Sequence, residues 1–274
     1  MQCFGAALLL ALPPGHAQSK DTIVWGWADF APYSIPTGPD KNQGLLDEAR
    51  SLVAERLVGY EHEQVSAPIP RISAEIESGK NWCWFGPYQT PARDKFALFS
   101  LPVAIELPHR IIVNYAKVGQ FEALGKLSLE QMLVDGKLTT LFTRGRSYGA
   151  SIDDILLRHP PDKSQWNSSM AQPLLMIMAG RIDYTVEYPL VANYNSRRSG
   201  KLAGLPFKEM TAYEFRRVMC PKNKWGEKVI ADINAILRVE RPSPRYRKIA
   251  EKWHDYEGVK QIRQFYDQVF LKAE

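Results

Sequence analysis

Residues 82–93 of the chain read WCWFGPYQTPAR, and residues 99–102 read FSLP. The apolar residues run up to a Gly-Pro pair, and this pattern predicts a buried strand whose carboxyl end opens into a loop. Thr90 and Arg93 lie in that loop, where open α/β sheets hold small ligands. Because a guanidinium offers two parallel donors to a carboxylate, Arg93 is a candidate anion contact. The alternative interpretation is a surface loop with a solvated arginine.

Length and composition are those of an ordinary globular protein. The chain has 274 residues, of which 45% are hydrophobic and 24% charged, so it can bury a core as one large domain or two smaller ones. Its net charge is +5, but the basic residues are scattered in runs no longer than a doublet, which argues against nucleic-acid binding. The histidines are isolated, and no phosphate loop, nucleophile elbow or dinucleotide fingerprint occurs. We therefore expect no metal and no cofactor.

The first residues have the pattern of an export signal. An uncharged apolar stretch at 4–12 is followed at 13–17 by small residues at the positions that a signal peptidase reads. The positively charged segment that usually precedes the apolar stretch is missing. Residues 1–17 are predicted to be a signal peptide. The protein is predicted to be soluble and exported, since no other segment is long and apolar enough to span a bilayer.

The next part of the chain alternates strands and helices. Residues 22–27 predict a buried strand, and residues 44–58 carry apolar side chains at helical spacing. A short polar strand at 61–66 and a helix at 69–78 follow. This order makes the strand that contains Cys83 the third strand of a parallel sheet.

A second loop has the same chemistry as the first. Residues 103–113 predict a crossing into a second lobe, where a strand at 138–142 leads into a loop before a helix at 152–157. Backbone amides at the start of that helix, with Ser147 as a cap, would make an anion site. A cleft between the lobes would bring the two loops face to face, and the alternative is again a solvated loop. The candidate residues of the second loop are Thr143, Arg144, Arg146 and Ser147.

Two motifs resemble those of a known family. They are the Thr-x-x-Arg pattern with the Ser-x-Pro that follows it, and Gly-Arg-Ile-Asp at 180–183 before a short apolar strand. Both are similar to motifs of type II periplasmic solute-binding proteins of family 3, which bind polar amino acids. The resemblance implies a two-lobed α/β fold in which each lobe is a mainly parallel sheet flanked by helices. Residues 20–107 and 212–274 would form lobe 1, and residues 108–211 would form lobe 2.

The resemblance also implies roles for residues around the cleft. In that family the arginine holds the ligand's carboxylate, the aromatic residue before Ala-Pro packs over the ligand, and an acidic residue after the second motif takes the ligand's ammonium. Here Glu187 stands one position before the usual aspartate, which weakens the case for an α-amino acid ligand. Tyr33 and Trp27 are further, weaker candidate contacts. The candidate ligand-binding residues are Phe30, Tyr88, Thr90, Arg93, Thr143, Arg144, Arg146, Ser147, Glu187 and Tyr188.

Two cysteines, Cys83 and Cys220, remain after the predicted signal peptide. An even pair in an oxidising compartment favours a disulfide, and in the resembled fold the two strands are neighbours in one sheet. We predict a bridge between them, and the alternative is two buried thiols.

The predicted function is that of a periplasmic solute-binding protein. It would capture a small polar ligand, anionic or zwitterionic and amino-acid-like, between its two lobes for an inner-membrane ABC permease. We expect a monomer that is not an enzyme. Two alternatives stay open: an enzyme such as a dehydratase on the same fold, and a sensory or envelope protein that keeps the fold without transport.

Overall fold

The alternation of strands and helices predicted for the first part of the chain is present, and the predicted α/β class is confirmed. The computed structural model describes residues 20–197 and 199–274, so the predicted signal peptide at 1–17 lies outside the described residues. The strands are β1 (Thr22–Trp27), β2 (Glu61–Ser66), β3 (Trp82–Tyr88), β4 (Ala97–Glu106), β5 (Arg110–Asn114), β6 (Phe142–Thr143), β7 (Trp166–Asn167), β8 (Tyr184–Glu187), β9 (Leu202–Leu205) and β10 (Glu214–Pro221). The helices are α1 (Leu45–Arg56), α2 (Ile69–Glu77), α3 (Val118–Glu122), α4 (Leu129–Asp135), α5 (Ala150–Arg158), α6 (Gln172–Met178), α7 (Pro189–Ser196), α8 (Lys224–Glu240), α9 (Pro244–Glu251) and α10 (Tyr256–Phe265). Within the described ranges, none of these helices combines the length and the apolar character that crossing a membrane requires.

A five-stranded sheet with the order β2-β1-β3-β10-β4 organises one half of the molecule. β1 pairs in parallel with β2 and β3, whereas β10 pairs antiparallel with β3 and β4. α1 packs on this sheet because its apolar residues recur at helical spacing and form one buried face, which includes Leu45, Leu52 and Val53. We call this sheet and its helices lobe 1.

The strands between β4 and β10 form lobe 2. β5 lies between β8 and β9 and is antiparallel to both, and β6 pairs in parallel with β7. The sequence predicts a mainly parallel sheet here. The three-stranded sheet differs because the β5 segment leaves lobe 1 and the β9 segment returns towards it, so the two run in opposite directions. Lobe 2 has its own core around Ile111, Phe142 and Tyr184, and the exact lobe boundaries stay a prediction.

Cys83 of β3 and Cys220 of β10 form a disulfide, and both side chains are buried. The two strands are neighbours in the sheet, as the resemblance implies. The predicted bridge is therefore confirmed. It joins chain segments 137 residues apart, so it ties the early and late strands of lobe 1 to each other.

The two lobes are in contact across the cleft. The hydroxyl groups of Tyr88, at the end of β3, and Tyr188, after β8, are hydrogen-bonded. The ring centroid of Phe30 lies 6.4 Å from that of Tyr188. Farther out, Arg197 after α7 forms an ion pair of 2.8 Å with Asp40 of lobe 1. The cleft is therefore closed in this structure.

Candidate functional site

A small cavity lies between the lobes at the carboxyl ends of β1 and β3. Its volume is about 40 Å³. Because β1 and β3 are parallel neighbours, their carboxyl ends meet at one edge of the sheet, which is where open α/β sheets bind ligands. The walls come from both lobes. They include Trp27, Phe30, Trp84, Tyr88, Arg93 and Arg216 from lobe 1 and Arg146, Ser147 and Met170 from lobe 2.

Arg93 reaches the cavity from the loop after β3. Its backbone N–H donates to the carbonyl oxygen of Thr90 at 2.9 Å and to Thr90 Oγ1 at 3.3 Å, so the threonine shapes the turn that carries the arginine. The guanidinium donates to the carbonyl oxygen of Tyr88 at 2.7 Å and to that of Gly145 at 3.3 Å. Since Gly145 belongs to lobe 2, Arg93 bridges the cleft.

Within the described part of the chain, no carboxylate oxygen lies at ion-pair distance from the guanidinium of Arg93. The residue is 8% exposed. Burial lowers the pKa of the guanidinium, and the charge of Asp153 opposes this only in part. A buried cation that bonds only to carbonyl oxygens retains much of its desolvation cost. An anion bound at Arg93 would offset that cost.

Arg146 is held by Glu187 in a buried bidentate ion pair. The N···O distances are 2.5 Å and 2.6 Å, and the two side chains are 5% and 3% exposed. The guanidinium carbon lies 4.4 Å from the ring centroid of Tyr148 and 4.8 Å from that of Phe30. Burial by itself lowers the pKa of Arg146, but the charge and hydrogen bonds of Glu187 outweigh burial and raise the pKa above its usual range. Glu187 Oε1 also accepts from the backbone N–H of Tyr188 at 2.9 Å.

Arg216 of β10 forms a second buried ion pair, with Glu106 at the end of β4. Its Nη1 donates to the carbonyl oxygen of Gly86 at 2.8 Å. Gly86 has φ of 105°, and a Cβ atom at this position would lie 2.4 Å from Leu46 Cδ1, so only glycine fits. Glu106 also accepts from the hydroxyl of Tyr33. Burial raises the pKa of Glu106, whereas the Arg216 charge opposes that rise.

Aromatic rings surround both arginines. Phe30 packs 4.9 Å from Tyr33, and the guanidinium carbon of Arg216 lies 4.4 Å from the ring centroid of Tyr33. His109 stacks on Tyr188 with 3.9 Å between ring centroids. The Nε2 atom of His109 is buried and has no hydrogen-bond partner among the described residues. Burial, aided by nearby arginines, holds the pKa of His109 well below its usual value.

The structure brings most of the sequence-predicted residues to the cleft. Phe30, Tyr88, Arg93, Arg146 and Ser147 line the cavity. Glu187 and Tyr188 lie directly behind it, in contact with Arg146. Their roles as ligand contacts stay predictions.

Three further predicted residues, besides Glu187 and Tyr188, do not line the cavity. Thr90 Oγ1 faces the backbone of its own turn, and Thr143 Oγ1 donates to the carbonyl oxygen of Ser169 at 3.3 Å. Arg144 is exposed and donates to the carbonyl oxygen of Lys163 at 3.4 Å. In each case the polar side chain forms a hydrogen bond with a backbone group.

The predicted capping role of Ser147 is wrong. The cap residue of α5 is Gly149, and the Ser147 hydroxyl donates to Asp153. Asp153 also accepts from the backbone N–H of Tyr148 at 2.7 Å. The Ser147 hydroxyl accepts from the backbone N–H of Gly149 at 3.3 Å, so Ser147 and Asp153 bind the two amides that precede the helix and not those of its first turn.

Sequence reasoning missed Arg216 and Glu106, whereas Tyr33, the weaker candidate of the two aromatic residues beside Ala-Pro, does line the cavity. Glu106 could have been found as the single charged residue of an otherwise apolar strand, because such a charge is rarely buried without a partner. Arg216 gives no comparable signal, because its strand also carries Glu214 and Arg217. Arg216 stands in the run that leads to Cys220, and Glu106 ends the apolar run that begins at Ala97. Neither run reveals its partner, since the two residues are 110 positions apart.

Comparison with known proteins supports the fold. No protein-family model matches the chain, and no curated protein matches it either. Similar solved structures include a histidine kinase sensor domain with similarity to periplasmic binding proteins, with a TM-score of 0.68 and 19% identity over 86% of this chain and 96% of that one. They also include the arginine-, lysine-, histidine-binding protein ArtJ from Geobacillus stearothermophilus, with a TM-score of 0.68 and 18% identity over 85% of this chain and 95% of that one.

A third similar structure is the ancestral amino acid-binding protein AncCDT-1, a precursor of cyclohexadienyl dehydratase. Its TM-score is 0.65, with 20% identity over 85% of this chain and 96% of that one. The chain therefore has the fold of periplasmic binding proteins, and the predicted resemblance is confirmed at the level of the fold.

Proposed function

We propose that the protein is a periplasmic solute receptor that captures a small polar ligand between its lobes. The observation that carries this proposal is the buried guanidinium of Arg93, which lies in the wall of an interlobe cavity and has carbonyl oxygens as its partners. A site of this kind offers charge to an incoming anion while the surrounding aromatic rings exclude water.

Capture would proceed by closure of the lobes on the ligand. The contacts that hold the cleft closed, Tyr88 with Tyr188 and Arg197 with Asp40, join one lobe to the other. Closing removes water and strengthens the electrostatic contacts inside. We propose that the closed monomer then delivers its ligand to an ABC permease of the inner membrane, with lobe 1 formed by residues 20–107 and 212–274 and lobe 2 by residues 108–211.

Binding without turnover is the form of this proposal that the geometry favours. Two glutamates behind the cavity wall accept hydrogen bonds from an arginine, Glu106 from Arg216 and Glu187 from Arg146, and Asp153 accepts from Ser147 and from the backbone N–H of Tyr148. A carboxylate paired in this way is a poor general base, because protonating it would break a buried ion pair.

Transfer of the ligand signal to a membrane sensor is a second candidate role. The similarity to a histidine kinase sensor domain favours it. Stimulation of a reconstituted permease's ATPase activity by the liganded protein would support transport, and its absence together with binding to a sensor kinase would support signalling.

A thermal-shift screen with amino acids, carboxylates and sugars tests ligand capture. A ligand at 100 times its Kd stabilises the folded state by about 2.7 kcal/mol and raises the melting temperature. We expect Arg93→Ala to abolish that rise. The matched control is Arg245→Ala, because Arg245 is a surface arginine of lobe 1 paired with Glu55 and should leave the rise unchanged. A full rise with Arg93→Ala would remove the proposed anchor.

A further inference from the structure

We infer that the ligand is a small monocarboxylate that has no amino group, bound by Arg93 and by the indole N–H of Trp27. This inference rests on the proposed function and specifies its ligand. It sets the protein apart from the amino-acid-binding proteins that share its fold.

The first step is that Glu187 and Glu106, the glutamates closest to the cavity among the described residues, are each already paired with an arginine. Glu187 stands nearest to the position from which an acidic residue would meet an ammonium, but both of its oxygens accept from Arg146. Glu106 is occupied in the same way, with one oxygen on Arg216 and the other on Tyr33. An ammonium group carries three donors and needs acceptors for them. To reach Glu187 it would have to displace an arginine whose side chain is 5% exposed.

The second step is the charge that remains. Among the residues that the structure describes, three guanidinium groups line the cavity, and two of them, Arg146 and Arg216, are paired with buried carboxylates. Arg93 is left with carbonyl oxygens as its hydrogen-bond partners. Asp153 acts on Arg93 through its charge, but its oxygens accept from Ser147 and from the backbone N–H of Tyr148. The site therefore attracts a single negative charge.

The third step is a second donor in the cavity wall. Trp27 ends β1, and its side chain lines the cavity. Its Nε1 atom is buried and has no hydrogen-bond partner in the described ranges. An indole N–H can only donate, and a buried donor without an acceptor is costly. A carboxylate has two oxygens, so one can accept from Arg93 and the other from Trp27.

The size of the cavity limits the rest of the ligand. The cavity volume of about 40 Å³ corresponds to roughly three water positions, since a cavity needs at least about 10–15 Å³ to hold one water. Trp84 and Phe30 supply apolar surface beside the donors. A carboxylate with a short alkyl chain, such as acetate or propionate, matches both the volume and the chemistry.

Isothermal titration calorimetry of the full mature chain with matched pairs of compounds tests this inference. Propionate and L-alanine differ only in the ammonium group, and so do acetate and glycine. We expect propionate to bind at least tenfold more tightly than L-alanine. Equal or tighter binding of either amino acid would overturn the inference and leave the proposed receptor function standing. If no carboxylate, amino acid or sugar binds, both fail.

The role of Trp27 has its own control. Trp27→Phe keeps an aromatic ring and removes the N–H, so we expect propionate affinity to fall about 10- to 150-fold, the usual effect of a lost hydrogen bond to a charged group. The ring centroid of Trp84 lies 5.0 Å from the guanidinium carbon of Arg93. Trp84→Phe also shortens a ring of the cavity wall and keeps an aromatic face beside Arg93, but it is not expected to remove a donor to the carboxylate. An equal loss in both variants would mean that Trp27 contributes packing alone and would overturn its assignment as a donor.

Discussion

The Arg146–Glu187 pair provides the strictest test of the cleft geometry. Glu187→Gln keeps the shape of the side chain and an acceptor for the backbone N–H of Tyr188, but it removes the charge. Arg146 would then be a cation with 5% exposure of its side chain and no counter-charge. Removing one partner of a buried pair costs about 3–5 kcal/mol in the free energy of unfolding. At roughly 2–4 °C per kcal/mol for a chain of this size, the melting temperature should fall by about 6–20 °C.

A matched surface pair supplies the control. Arg245 and Glu55 are 3.2 Å apart, with side chains 58% and 55% exposed. Glu55→Gln should therefore change the free energy of unfolding by about 0–1 kcal/mol. Both variants are to be compared with the wild type by urea unfolding followed by circular dichroism, with the disulfide intact. A loss for Glu187→Gln no larger than that for Glu55→Gln would refute the account of a buried ion pair beside a closed cleft.

The double replacement Arg146→Met with Glu187→Leu tests whether the loss comes from the unpaired charge. Apolar side chains of similar volume would pack among the rings of Phe30, Tyr148 and Tyr188, and replacing a buried pair in this way is often neutral or stabilising. We expect the double variant to be more stable than Glu187→Gln. If the double variant is less stable than Glu187→Gln, the attraction between Arg146 and Glu187 exceeds their desolvation cost. The expectation that apolar residues can replace the pair would then be wrong.

Three further predictions concern other parts of the molecule. Cys83→Ser should lower stability by about 5 kcal/mol, because the bridge closes a loop of 137 residues, and a reducing agent should lower the melting temperature of the wild type but not that of the variant. The pKa of His109 in the folded state lies well below its unfolded value, so the unfolded state binds more protons below about pH 6.5. The free energy of unfolding should therefore decrease as the pH drops, by at most about 1.4 kcal/mol per pH unit. Unfolding of His109→Asn between pH 7 and pH 5 should show a shallower dependence, and an unchanged slope would contradict a neutral buried imidazole. Arg197→Ala removes the half-exposed ion pair with Asp40 that joins the lobes. Calorimetry should show ligand affinity reduced by up to about fivefold and a melting temperature without ligand that stays within about 2 °C of the wild type. An unchanged affinity would mean that this pair does not favour closure.

Local sequence patterns determined the elements of lobe 1. Apolar residues at helical spacing predicted a helix at 44–58, and the structure has Leu45–Arg56. The polar strand predicted at 61–66 is Glu61–Ser66. Such patterns are informative because the burial of one face of a helix or strand is decided by residues a few positions apart. The loop that carries Arg93 follows from the same reasoning.

Tertiary structure alone decided which charges meet. Arg146 and Glu187 are 41 positions apart, and Arg216 and Glu106 are 110 apart. Each pair forms because strand ends from different parts of the chain come together at the cleft, and no periodicity within one strand encodes that meeting. The sequence predicted that arginines and a glutamate would surround a ligand. Their pairing with each other leaves Arg93 as the charge without a carboxylate partner among the described residues. It depends on distances that exist only once each lobe has folded, since Arg216 and Glu106 both belong to lobe 1 and Arg146 and Glu187 both belong to lobe 2.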